Sequence, residues 1–433
     1  MTLKIAHIGD THLDTRHKRW PTLQRSLRTM DEQMREARPD LIVHAGDLGE
    51  KNPNAQDLYH IATFLQGLAD IAPTLVVLGN HDARAHWDVL GRLDTRCRLR
   101  MVTSPESIRL MTDGTIWGFD ESTVDEIGAT RLIAHCMPWP AKGQLLANYP
   151  EAMAPEDSDR IALECLRSIF RGWRQEREIS GAEKAEVPSI LVGHLNLSGA
   201  RGDQGQPLCT PDVSVSVYDL AEAGTDITML GHIHAQQYHE LVEPGILAWY
   251  SGSPCRLSWG EAGAAAKGWI LHTITDELVH DIVEIPSPRL WACEAEWTCE
   301  PETHPTDPDS FIDVWQFDYI DKPETHAPPF LSNEVGPDDE LRFRYHVPEE
   351  QREAVKQAVE NELGLIWPGP RENVTVEPRI IPSTHARCAD IATEEDPVAQ
   401  AVRYLELERP DLSEAQREDL LPLMRKAVQE VTP

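Results

Sequence analysis

The sequence predicts an α/β fold, with a smaller α+β unit and a pair of helices behind it. Three observations carry that prediction. Five short apolar runs each end in glycine followed by a polar residue. Amphipathic helix patterns lie between the first three of these runs, so strand and helix alternate. And 433 residues are too many for one ordinary core, while a Pro-rich stretch at 286–288 offers a boundary.

The apolar runs are KIAHIGDTH (4–12), LIVHAGD (41–47), TLVVLGNHD (74–82), SILVGH (189–194) and ITMLGHIH (227–234). Unbroken Val/Ile/Leu runs of this length read as buried strands. Leu23, Leu27, Met30 and Met34 repeat at helical spacing, as do Leu58, Ile61, Leu65 and Leu68. Shorter strands follow at SIRLM, TIWGF and RLIAHCM, then a helix at 156–178 marked by Ile161, Cys165, Ile169 and Trp173. After 234 the chain is strand-rich, in ILAWYSG, GWILHTI and LVHDIVEI. These elements define a first domain over 1–286. A second, over 289–383, has the strands LRFRYHV and NVTVEPRII. Its helix is PEEQREAVKQAVENELG, expected to start at Pro348 and to stop before Gly364. Two amphipathic helices close the chain over 393–431, with a capping-box pattern at Ser413 and Gln416. They suit either a terminal cap on the core or a docking segment for a partner.

Composition narrows the class. The eight cysteines are scattered with no C-x-x-C pair, which argues against a zinc knuckle or a secreted disulfide framework. MTLKIAHIGD reads as a strand and not a signal peptide, and no membrane-length apolar run occurs, so a cytoplasmic protein without membrane spans is expected. The net charge of -32 argues against broad, non-specific phosphate binding. The loop DTRHKRW runs against that trend, with Arg16, Lys18 and Arg19.

The chemistry lies at the five Gly-polar ends. They supply Asp10, His12, Asp47, Asn80, His81, Asp82, His194, His232 and His234. An Asp/His/Asn set suits Mn, Fe or Zn, and there are more donors than one ion takes. Two ions sharing a carboxylate would use them. Each piece alone has a bland reading: D-x-H is often a loop, and Gly-Asn often a turn. The joint order, with each polar group at a strand end, is what rejects it.

D-x-H, G-D, G-N-H-D, G-H and G-H-x-H in this order resemble the calcineurin-like metallophosphoesterases, over roughly residues 5–234. That resemblance implies a four-layer α-β-β-α sandwich. It implies two divalent metal ions, Mn2+ above all. Asp10, His12, Asp47 and His234 would hold one ion. Asp47, Asn80, His194 and His232 would hold the other, with Asp47 bridging. His81 would face the phosphate and Asp82 would orient it. A hydroxide formed between the cations would attack the phosphodiester.

Three further stretches, LVGHLNLSGA (191–200), LGHIHAQQ (230–237) and WYSGSPCRLSWGE (249–261), resemble the SbcD-type nuclease subunits of DNA double-strand-break repair. The resemblance implies a metal-dependent exo/endonuclease acting on DNA. Residues 289–383 would be a small α+β capping domain that also binds DNA. Residues 393–431 would dock on an SbcC-like coiled-coil ATPase, and a homodimer is expected. Arg16, Lys18 and Arg19 are the expected DNA contacts, and Trp20 could stack on an unpaired base. The chain departs from the family after Gly46-Asp47, where Leu48, Gly49 and Glu50 replace a bulky aromatic followed by His or Asp. The alternative reading is a stand-alone phosphodiesterase acting on a nucleotide or another small phosphodiester.

Overall fold

The computed structural model describes residues 2–118, 129–147, 155–202, 205–207, 212–241, 245–262, 266–304, 307–320, 335–381 and 420. The chain forms two compact units. One comprises Met1–Ala292, Leu331–Arg342 and Gly369–Val374; the other Cys293–Phe330, Phe343–Pro368 and Thr375–Pro433.

The first unit is built on two sheets. In the six-stranded sheet the order is Leu278–Glu284, Gly268–Ile274, Leu3–Ile8, Leu41–His44, Thr74–Val77 and Leu99–Val102. The last four strands are parallel, as expected where helices connect them. The seven-stranded sheet runs Gln237–Leu241, Ile246–Tyr250, Ile227–Gly231, Ser189–His194, Thr130–Met137, Glu106–Met111 and Ile116–Gly118, with a parallel centre.

Alternation along the strands decides the layers. Ile5, Val43, Leu75 and Val77 of the first sheet meet Leu132, Ala134, Ile190, Val192 and Met229 of the second in one buried cluster. The opposite residues, Ala6, Ile8 and Ile42, meet Met30 and Met34 of the helix Trp20–Ala37 and Leu68 of the helix Ala55–Ile71. On the far side Leu191, Leu230 and Tyr250 pack under Ala162, Leu166, Phe170 and Trp173 of the helix Pro155–Ser180. The result is the α-β-β-α arrangement expected from the sequence. Asn54 starts the second helix with a reciprocal cap: its side chain accepts from Asp57 N at 3.0 Å, and Asp57 accepts from Asn54 N at 2.8 Å. Asp57 also accepts from Thr15 Oγ1 at 2.6 Å, which pins the basic loop at its root.

The second unit carries a four-stranded sheet in the order Asp307–Tyr319, Leu290–His304, Glu340–Pro348 and Val374–Ile381. Phe343, Tyr345 and Val347 are buried on one face, as are Val355, Val359 and Leu363 of the helix Val355–Ile366. This helix differs from expectation. Pro348 ends a strand, a 3-10 turn over Glu349–Gln351 follows, and Gly364 lies inside the last helical turn. Burial explains it: Ile366 and Trp367, just past the glycine, are both buried, and Trp367 N bonds Leu363 O at 3.1 Å. The predicted helical pair at 393–431 lies outside the described residues, except Leu420, which is helical.

Candidate metal centre

The ends of five parallel strands converge on one place, and the glycines in their motifs explain how. A Cβ on Gly79 would strike Asp47 Oδ1, one on Gly46 would strike His194 Nδ1, and one on Gly231 would strike Ala45 O. The motif glycines therefore let ligand-bearing backbones approach where no other residue fits. Four of the six described non-glycine residues with positive φ are at the same place: Asp10 (51°), His12 (44°), Asp47 (53°) and His232 (101°). Each costs about 1–3 kcal/mol, and strain gathered this way marks a functional constellation.

Three groups of donors have ligand atoms within 4.8 Å of one another: Asp10, His12 and His234; Asp47, His194 and His232; and, sharing His12, a third of His12, Glu50 and His81. His12 Nε2 and His234 Nε2 face each other at 3.1 Å. Asp47 Oδ2 reaches the first two groups, lying 3.6 Å from His12 Nε2 and 3.4 Å from His194 Nε2. Asn80 Oδ1 completes the second group, 2.9 Å from His194 Nε2 and 3.1 Å from His232 Nδ1. All seven ligands expected from the sequence thus stand together, and Asp47 stands between the two sets. Ring nitrogens and carboxylates aimed at a common point, held in strained backbone, fit a pair of divalent cations.

The electrostatics fit as well. Burial raises the Asp10 carboxyl above its usual range. Burial pushes Asp47 the same way, but His194, His12 and the His81 N–H outweigh it and hold Asp47 well below the usual carboxylate range. Burial also opposes charge on His194 and His234. Asp47 overrides it at His194 and Glu261 at His234, so both rise to about 9. His232 has no such partner: burial and His194 lower it to about 3. Without cations, two imidazolium protons sit where positive charge is wanted.

Outer groups orient the inner ones. His194 Nδ1 donates to Ala45 O at 2.7 Å, which leaves Nε2 as the ligand atom. Glu261 sits 3.3 Å from His234 Nδ1 and 3.0 Å from Lys267 Nζ, and accepts from Ser253 Oγ at 2.8 Å. Lys267 Nζ also donates to His234 O at 2.9 Å. Trp139 packs against His232 and His194, with ring centroids 4.9 and 5.8 Å away.

The expected role of Asp82 needs correction. Its carboxylate does not orient His81. It accepts from Leu48 N at 3.0 Å, Gly49 N at 3.1 Å and Gly79 N at 2.8 Å, locking together the loops that carry Asp47 and Asn80. Burial and Asp47 raise its pKa to about 6. The carboxylate on His81 is Glu50, 2.9 Å from Nδ1, and its other oxygen is 3.1 Å from His12 Nδ1. Sequence reasoning noted Glu50 only as a departure from a family pattern. The available signal was its place three residues after the bridging Asp47.

The basic loop is less open than its composition suggests. Arg19 is buried; its Nε and Nη2 donate to the two oxygens of Glu340, each at 2.8 Å, and Nη1 donates to Leu257 O at 2.8 Å. Arg16 is exposed but paired with Asp14 at 2.8 Å. Lys18 is exposed, 3.6 Å from Glu340 and 5.6 Å from the Trp259 ring centre. A nucleic-acid phosphate at Arg19 would have to displace Glu340. Trp20 lies against His60 and in a buried cluster with Leu13 and Leu48.

The model of the calcineurin-like phosphoesterase family matches residues 3–236. Solved structures with a similar course include GAP50 of Plasmodium, an anchor in the inner membrane complex. It is 16% identical over 65% of this chain and 84% of that chain, with a TM-score of 0.40. A dimetal phosphatase from Danio rerio is 12% identical over 65% of this chain and 96% of that chain, with a TM-score of 0.39. A putative 5'-nucleotidase from Staphylococcus aureus is 14% identical over 66% of this chain and 54% of that chain, with a TM-score of 0.37. No described helix is long and apolar enough to cross a membrane.

Proposed function

Because this chain belongs to the calcineurin-like phosphoesterase family and is a metal-dependent hydrolase of phosphoester bonds, we propose that its substrate is DNA and that it acts as an SbcD-type nuclease. One observation carries the reading. The three sequence stretches that resemble that family are joined in space into one support behind the metal ligands. Gln237 bonds Arg201 N at 3.0 Å and Arg201 O at 2.7 Å, tying 230–237 to the loop that follows 191–200. Tyr250 OH donates to Leu195 O at 2.8 Å and accepts from Leu197 N at 3.0 Å. Glu261, at the end of the third stretch, holds His234.

Two divalent cations, when bound, supply Lewis acidity that ionises water near neutral pH and neutralises phosphate oxygens. Asp10, His12, Asp47 and His234 would hold one, and Asp47, Asn80, His194 and His232 the other. Manganese suits this mix of nitrogen and oxygen donors. Glu50 accepts a hydrogen bond from His81 Nδ1–H and favours the protonated ring, so that Nε2–H can meet the phosphate or protonate the leaving oxygen. Glu261 and Ala45 O fix the tautomers of His234 and His194. An SbcC-like coiled-coil ATPase docking on 393–431 would couple ATP state to DNA access, with the protein acting as a homodimer.

Titrating manganese against cleavage of single-stranded DNA and of bis-p-nitrophenyl phosphate tests the reading. Both activities are expected to rise with the metal. Hydrolysis of the small diester with intact DNA, even with the ATPase present, would replace the nuclease by a stand-alone phosphodiesterase.

A further inference from the structure

A second basic surface lies away from the loop DTRHKRW. The segment 92–100, RLDTRCRLR, lines a cavity of about 520 Å³ between the helix Arg84–Leu90 and the strand Leu99–Val102. Arg92, Arg96, Arg98 and Arg100 all contribute to its wall, against Asp88 and Asp94. Arginines outnumber carboxylates two to one there, in a chain whose net charge is -32. Arg100 is paired with Glu106, and Arg98 lies 5.4 Å from the Trp117 ring centre. Arg92 and Arg96 are exposed and have no carboxylate partner among the described residues. Among the described residues the strand beside them is the last of its sheet and pairs on one side only, with Thr74–Val77. Its other edge adds peptide N–H groups, which donate to phosphate oxygens.

We infer that this groove binds the phosphate backbone of a single nucleic-acid strand, with Arg92 and Arg96 as its main contacts. The inference rests on the nuclease reading and adds a strand path to it. Arg84 begins the short helix two residues after Asp82, and Arg92 lies just past the far end of that helix; Arg96 and Arg98 precede the strand Leu99–Val102, whose Leu99 pairs with Thr74, so the arginines sit toward the opposite end of the sheet from the metal ligands. A strand seated on the arginines would be anchored along the outer edge of the sheet, at a distance from His81. Unpaired guanidiniums also exchange released counterions for phosphates, which makes such a contact measurable.

The test is binding of a fluorescent phosphorothioate single strand to the full-length, manganese-loaded protein across a salt series. Arg92→Ser with Arg96→Ser is expected to weaken binding about tenfold in ~0.1 M salt and to lower the salt slope by about 1.4, at about 0.7 per contact. Hydrolysis of bis-p-nitrophenyl phosphate is expected to stay unchanged, which shows an intact fold and metal pair. Arg160→Ser with Arg174→Ser removes the same charge from another exposed helix and is expected to leave the slope as it was. Wild-type binding in the Arg92/Arg96 variant, or an equal loss in the Arg160/Arg174 variant, would overturn the groove while leaving the nuclease reading standing. A wild-type protein that hydrolyses the small diester and binds no DNA would overturn both.

Discussion

Glu50 shows how much one side chain decides at this centre. Its two oxygens face His12, proposed as a metal ligand, and His81, proposed to face the phosphate. Hydrogen bonds from both rings hold its carboxyl well below the usual range, so it is an anion at any working pH. Glu50→Gln is expected to keep the fold and lose about 10–100-fold in kcat, the usual penalty for removing an orienting partner. A kcat within twofold of wild type would assign His81's orientation to something else. Asp82 belongs to another class of effect. Asp82→Ala leaves three peptide N–H groups without their carboxylate, so a loss of about 1–3 kcal/mol in stability is expected, read as a lower melting temperature of the metal-free protein. The histidines set a pH dependence. His194 and His234 rise to about 9, so below that pH each carries a proton that a cation must displace. Metal affinity is therefore expected to rise with pH up to about 9 and to fall as pH drops. Calorimetry in buffers of different ionisation enthalpy would show proton release at pH 7; uptake would reverse the sign of the argument.

At the scale of elements, the centre is a property of strand ends. Gly79→Ala drives a methyl group into Asp47 Oδ1, and the peptide cannot yield because Asp82 holds Gly79 N. The expected outcome is loss of bound metal, measured by elemental analysis, with secondary structure kept. This also explains what could be read in advance. The convergence of Asp10, His12, Asp47, Asn80, His194, His232 and His234 was legible because each candidate ligand is coupled in sequence to a nearby glycine at a strand end. Contacts that form only when the sheets close were not legible. Glu261 reaches His234 across a turn, and Glu340 reaches Arg19 from the far end of the chain. The pairing within the basic loop was hidden for that reason: local composition shows the cations but not the carboxylates that fold onto them. The misplaced end of the helix Val355–Ile366 has a similar origin, since Gly364 reads as a stop until the burial of Ile366 is known.

The whole molecule joins an established fold to a proposed task. The α-β-β-α layers follow from alternation alone, because each strand buries one face against the other sheet and one against helices. The proposed task would depend on more than the metal centre. Truncation after Ala392 is expected to leave a metal-loaded enzyme that hydrolyses small diesters but no longer co-purifies with a coiled-coil ATPase. Aggregation of the truncated chain would make the terminal segment part of the core instead. Beneath that proposal lies the central claim, a pair of cations bridged by Asp47. Metal content per chain after reconstitution with manganese, compared between the wild type and Asp47→Ala, tests it most directly. Two ions are expected in the wild type and loss of both on substitution, since Asp47 Oδ2 faces both ligand sets. One ion in the wild type, or two retained in Asp47→Ala, would contradict it.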